Sequence, residues 1–187
     1  AAMLALDPSR RRGFTLVELL VVIAITAVLL GIAAGDMRSL IRDQQLKAAL
    51  SDLFGAIDLT RSQAITRGQR VYLAPTGNDW QGGWTVFVDA DGDGRPGAAD
   101  ELIATHGPLA EGIAVTSGFT SPRTPDYIAY NGGGRSCSHT SSMAARWGTL
   151  SLTLGESTRR IKINMLGRAR ACDPARDGAS CSGPETP

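Results

Sequence analysis

Proline is missing from the whole stretch between Phe14 and Val71, aromatic residues make up only 5% of the chain, and histidine occurs just twice. The first absence leaves more than fifty consecutive residues with nothing to break a helix. The second leans away from a bulky helical core and, with 22 glycines, toward turn-rich sheet. Net charge is also nearly absent, at +1. What remains is 187 residues with 43% hydrophobic and 20% charged side chains. That composition buries a core and excludes wholesale disorder, a polytopic membrane protein and two large domains.

The near-zero charge hides a segregation. Residues 1–13 carry a net +2, residues 14–120 a net −5, and residues 121–187, with nine basic and five acidic side chains, a net +4. A basic C-terminal third behind an acidic middle points to a polyanionic partner or an anionic membrane surface.

The N-terminus is the most specific stretch. Arg10-Arg11-Arg12-Gly13 precedes residues 14–34, which Glu18 alone interrupts with a charge. A helical run of about 20 apolar residues spans a hydrocarbon core, and basic residues before it favour a cytoplasmic N-terminus. The run is too long for the apolar part of a signal peptide, has no clean small-x-small cleavage site, and contains a carboxylate, which is costly in hydrocarbon without a cationic partner.

Gly13-Phe14-Thr15-Leu16-Val17-Glu18-Leu19-Leu20-Val21-Val22-Ile23-Ala24-Ile25 resembles the class III leader junction of type IV pilins and type II secretion pseudopilins. The resemblance implies cleavage after Gly13 by a prepilin peptidase, N-methylation of Phe14 as the new terminus, and pairing of Glu18 with the terminal amine of a neighbouring subunit during assembly. It also implies an inner-membrane, single-pass protein with a periplasmic C-terminal domain, later assembled into or at the tip of a surface pilus with other pilins.

Beyond the apolar run, Leu46, Leu50, Leu53, Ile57, Ala64 and Ile65 recur mostly at three- and four-residue spacing, while Arg42, Asp43, Lys47, Asp52, Asp58 and Arg61 occupy the other face. This predicts one helix from about Phe14 to about Arg67, ended by Gly68, with Gly31 and Gly35 as weak points. Short β-prone runs follow at Arg70 to Ala74, Gly83 to Val88, Glu101 to Thr105, Ile113 to Val115, Tyr127 to Tyr130, Gly148 to Leu154 and Arg159 to Met165, with no helical periodicity between them. The expected fold is α+β: a pilin-like long N-terminal helix, its first half membrane-spanning, packed on an antiparallel sheet. The expected divisions are a leader over 1–13, a transmembrane or filament-core helix over 14–35, its amphipathic continuation over 36–67 and a β-rich periplasmic domain over 68–187. The residues around Trp80, Gly83-Trp84-Thr85-Val86-Phe87 and Asp89 to Gly94, with Ala64-Ile65-Thr66-Arg67, resemble the minor pilin and pseudopilin H branch (FimT/GspH-like).

Other constellations invite chemistry and fall short of it. Asp89, Asp91, Asp93 and Gly94 match the start of a calcium loop, but Asp100 stands where the loop's glutamate belongs, with Glu101 one place later. An acidic hairpin tip explains the same residues, and no metal or other cofactor is expected. His106 and His139 have no ligand neighbours at metal spacing, and the hydroxyls of Ser136 to Ser142 form no nucleophile motif. Enzymatic activity is not expected. Of Cys137, Cys172 and Cys181, the turn formers Asp173-Pro174 and Asp177-Gly178 favour pairing Cys172 with Cys181, the other pairings staying open.

Gly167-Arg168-Ala169-Arg170 resembles the GRxR motif with which FimT-like minor pilins of natural transformation hold DNA. Just upstream lie Arg159, Arg160 and Lys162, and strand alternation that buries Ile161 and Ile163 puts Arg160 and Lys162 on the solvent face. An unbroken ladder would add Arg168 and Arg170 to that face, but Leu166 violates the alternation and Gly167 is expected to mark a bulge. Arginine suits phosphate through its planar fork of donors, and a site without a base-reading element binds DNA without regard to sequence. The expected function is a minor pilin that binds extracellular DNA for uptake. The alternative is a structural pseudopilin of a type II secretion system that contacts only proteins, its basic residues guarding a sheet edge.

Overall fold

The computed structural model describes residues 14–120 and 124–182, apart from the side chains of 32–36 and 38. The leader and Gly13 therefore lie outside the described residues. The chain divides into two compact units, Ala1–Ile41 and Arg42–Pro187. Helix α1, Leu16–Arg67, belongs to both.

In the first unit the large apolar side chains from Phe14 to Leu30 are exposed. Thr15 begins the helix by accepting the Glu18 N–H through its hydroxyl at 3.2 Å, and Thr26 returns its own hydroxyl to the Val22 and Ile23 carbonyls. Among the described residues no helix is long and apolar enough to cross a membrane. The span expected over 14–35 runs into 32–36, whose side chains are not described.

In the second unit α1 presents Leu46, Ala49, Leu53, Ile57 and Ala64 to the core. Leu50 is half-buried at its margin, and Ile65, expected on the same stripe, is exposed because Ala64 takes the inward position at this turn. Gly68 ends the helix at φ 64°, where any other residue would be strained.

The expected sheet is two sheets. The strands are β1 Val71–Pro75, β2 Trp84–Val88, β3 Glu101–His106, β4 Ala114–Phe119, β5 Ile128–Tyr130, β6 Gly148–Leu154, β7 Ser157–Ile163 and β8 Ala169–Cys172. All pairs are antiparallel, in the orders β3-β2-β1-β5 and β4-β6-β7-β8. One core joins the helix to both sheets through Val71, Leu73, Trp84, Val86, Tyr130, Val115, Leu150, Leu152, Ile161 and Ile163. The alternate residues of the first sheet form a second cluster of Tyr72, Ala74, Phe87, Tyr127, Ala129 and Cys137. Burial pushes the Cys137 thiol up to about 11. Arg146 lies against this cluster, almost wholly buried, with its guanidinium over the rings of Phe119 and Tyr127 and donating to the Tyr127 carbonyl.

The chain ends in a short helix, α2 Pro174–Asp177, and a single 3-10 turn, Gly178–Cys181. Asp173 starts α2 by accepting the Ala175 N–H, and Pro174 supplies the fixed backbone angle of a first helical position. A disulfide joins Cys172 to Cys181 and closes this tail, leaving Cys137 free.

Candidate nucleic-acid interface

The register of the second sheet decides which basic residues share a surface. Lys162 pairs with Arg170 and Arg160 with Cys172, while Ile161 and Ile163 pair with Ala171 and Ala169. Side chains alternate across a strand, so Arg160, Lys162 and Arg170 lie on the face opposite the buried isoleucines. The ladder reaches one step further, where the Asn164 N–H donates to the Arg168 carbonyl at 3.1 Å. Arg168 therefore joins the same face. The expected bulge is instead a tight turn over Asn164 to Gly167: the Gly167 N–H donates to the Asn164 carbonyl, and the Asn164 side chain accepts the N–H groups of Leu166 and Arg168. Leu166 does not break the alternation, because it sits in the turn.

Gly167 has φ 79°, and a Cβ there would lie 2.7 Å from the Tyr130 ring and 2.8 Å from the Gly134 carbonyl oxygen. The Tyr130 hydroxyl donates to the Gly167 carbonyl at 3.0 Å, and burial keeps that phenol protonated by raising its pKa. Glycine here serves close packing of the turn against the first sheet.

The tail lies along the basic face. Arg160 donates to the Cys181 carbonyl at 3.0 Å, Lys162 to Ser182 and Arg170 to Ser180. Carbonyl partners orient these cations without neutralising them. The Arg168 guanidinium is exposed and has no partner among the described residues.

Arg159 leaves the expected cluster. Its register puts it on the inward face, and its guanidinium contacts Asp43 at 2.9 Å and Asp173 at 3.0 Å. Two carboxylates balance its charge. Lys47, hydrogen-bonded to Asp43, and Arg159 behind it hold that carboxyl below its ordinary 3.8.

The family model described as type II transport protein GspH matches residues 49–167. The chain belongs to the GspH family. The prokaryotic N-terminal methylation motif matches residues 8–34. Pilin-like protein PilA1 of Thermus thermophilus is 31% identical over 162 residues, 86% of this chain and 97% of that protein. The crystal structure of the type IV minor pilin FimU of Pseudomonas aeruginosa is similar with a TM-score of 0.56 at 16% identity, covering 76% of this chain and 95% of that one. A second crystal form of FimU gives 0.52 at 17%, covering 75% and 98%. At such identity the structural likeness speaks to the α+β fold alone. The family makes this chain a type IV minor pilin or a type II pseudopilin.

The GspH match ends at Gly167, so Arg168, β8 and the disulfide-closed tail lie beyond it. Within the match, the Asp89, Asp91 and Asp93 carboxylates gather with oxygens within 4.8 Å of one another. Backbone N–H groups bond four of their oxygens: Gly92 and Gly94 donate to Asp89, Asp93 to Asp91, and Arg95 to Asp93. Both oxygens of Asp100 are likewise taken by Ala90 and Gly97. His106 stacks on Trp84 at 4.2 Å with its Nε2 3.7 Å from Asp52, and His139 meets Tyr127 edge-on. In the first unit, Phe14 and Glu18 are exposed.

Three features of the site escape sequence reasoning: β8, the docked tail and Trp147. β8 reads Ala-Arg-Ala-Cys and has no β-branched residue. The tail's closure by Cys172 and Cys181 is expected from its turn formers, but its docking along the basic face is not. Trp147, 41% exposed, stands beside the turn that presents Arg168, and only the register discloses it.

Proposed function

We propose that this chain is a minor type IV pilin that binds DNA through the outer face of β7 and β8, without regard to sequence, as part of DNA uptake in natural transformation. The observation that carries this reading is the alignment of Arg168, Arg170, Lys162 and Arg160 on one face, with Arg168 unpartnered among the described residues. Residues two apart on a strand are about 7 Å apart, close to the spacing of successive backbone phosphates. Gly167 supports the site by allowing the turn that aims Arg168. Arg159 contributes structure, holding β7 to α1 through Asp43.

The N-terminal half of the reading follows the methylation motif. A prepilin peptidase cleaves after Gly13, Phe14 becomes the methylated terminus, and the helix resides in the inner membrane until Glu18 pairs with the Phe14 amine of another pilin in the filament. An isolated carboxylate in an apolar run needs such a cation.

Replacing Arg168 and Arg170 with Gln tests the DNA site. Parent binding weakens with salt by about 0.9 in log K per log unit for each phosphate neutralised on duplex DNA, and the double variant's slope is expected to be shallower by about 2, for all sequences alike. A folded double variant with the parental slope refutes the site. That result would favour the second reading, a type II pseudopilin contacting only proteins, which the description of the matched family supports.

A further inference from the structure

Across the outer face of the second sheet, one row of residues runs from strand to strand at the end nearest the Asn164–Gly167 turn. The Thr120 N–H donates to the Trp147 carbonyl at 2.9 Å, and Asn164 pairs with Arg168 on the far side. Gly148 pairs with Ile163, so Trp147, one residue earlier, stands opposite Asn164. The row is therefore Thr120, Trp147, Asn164, Arg168. Its members share the face of Lys162 and Arg170, since Leu150 and Leu152 of β6 are buried on the other side. Two strand spacings separate Trp147 from Arg168, about 10 Å between backbones.

Trp80 and Trp84 are 2% exposed, whereas Trp147 is 41% exposed. It sits at the edge of a basic surface, in the same cross-strand row as the Arg168 guanidinium, with Asn164 between them. Next on this face of β6 is Thr149, which is buried yet whose hydroxyl has no hydrogen-bond partner among the described residues.

Resting on the DNA-binding reading above, we propose that Trp147 is a stacking platform for unpaired bases and that the ligand of this surface is single-stranded DNA. A large aromatic plane attracts base faces of any sequence, and an adjacent cation fixes the backbone that links them. A duplex offers its phosphates to Arg168 and Arg170 but no free base face to Trp147. The two halves of the site therefore make different demands: the arginines ask for phosphate, and the indole asks for an unpaired base.

The test uses the full mature chain in detergent micelles, with oligothymidylate and a mixed-sequence duplex of equal length as probes. In the parent, oligothymidylate quenches the tryptophan emission and the duplex does not, because the other two tryptophans are buried. Trp147→Ala weakens oligothymidylate binding roughly tenfold, the loss of one stacked base, and changes duplex binding less than about twofold. Trp147→Phe keeps the binding and abolishes the quenching, which holds the test together if the alanine variant does not fold. The inference is overturned if saturating oligothymidylate leaves parental emission unchanged, or if folded Trp147→Ala binds it as the parent does. If in addition Arg168→Gln with Arg170→Gln weakens both probes, the DNA site stands without the platform; if the parent binds neither probe, both readings fall. Normal oligothymidylate binding combined with poor filament incorporation of Trp147→Ala assigns the indole to a neighbouring subunit instead, and also overturns the inference.

Discussion

The two sheets of the second unit are built from the same number of strands and differ in what covers them. The first is apolar on both faces at its inner strands: every residue of β1 and β5 is buried, with the helix on one side and the Tyr72, Phe87, Tyr127 and Cys137 cluster on the other, while the edge strand β3 is largely exposed. The second is apolar on one face only. Its outer face is covered by long basic side chains and a tail fastened by a disulfide. The difference teaches where each sheet can tolerate change. A sheet closed by hydrocarbon on both sides is committed to stability, whereas polar cover can be exchanged for a ligand without opening a cavity.

Breaking the first sheet has the largest expected effect. Phe87→Ala empties the centre of the outer cluster, where the ring stacks on Tyr72 at 5.5 Å, and is expected to cost about 3–5 kcal/mol in urea unfolding. The paired Arg168→Gln and Arg170→Gln changes on the second sheet should cost less than about 0.5 kcal/mol each. Similar losses at the two places would show that the second sheet's outer face is also a core.

An intermediate effect is expected where the sheets touch. Gly167→Ala puts a methyl group against the Tyr130 ring and the Gly134 carbonyl at a backbone angle alanine adopts poorly. It should destabilise by more than about 1 kcal/mol and weaken DNA binding through displacement of the turn. Unchanged stability in the same unfolding experiment would remove the turn's structural role.

The smallest effect concerns the ion pair that ties β7 to α1. The Asp43 carboxyl titrates below its ordinary 3.8 in the folded protein, so the stability it contributes is complete well above that value and is lost as pH falls through the folded pKa. Asp43→Asn should therefore flatten the stability profile below about pH 4 and leave its shape near neutrality unchanged. Because Asp43 is partly exposed, the difference should shrink in salt. An identical acid limb in the two proteins would free Arg159 for other roles.

Much of this frame was legible. Helix α1 declares itself through a proline-free stretch and an apolar stripe, and its end through Gly68. Seven of the eight strands announce themselves as β-prone runs between turn residues. The division into two sheets did not, because it depends on β4 leaving its chain neighbour β3 for β6 while β5 returns to β1, a choice of partner that local sequence does not encode. The basic face was half legible. Alternation placed Arg160 and Lys162 correctly outward, but whether Asn164 to Gly167 forms a bulge or a turn decides where Arg168 points, and that depends on Tyr130, distant in sequence. Arg159 looked like its neighbours until two carboxylates claimed it. Arg146 gave no sign of burial, since the rings, the carbonyl and the Asp126 carboxylate that surround it come from other segments.

The contact between Gly167 and Tyr130 also has a mechanical meaning. If a DNA strand is held at Arg168 as proposed, a pull on it acts on the turn, whose carbonyl accepts the Tyr130 hydroxyl at the end of β5. The next residues, Asn131 to Arg135, form a loop whose Gly134 carbonyl accepts the Arg61 side chain of α1 at 2.9 Å. The hairpin tip is thus tied to the helix by a route of two hydrogen bonds and a buried ring that is separate from the β7–β8 ladder, a second anchor for the turn beside its own strands.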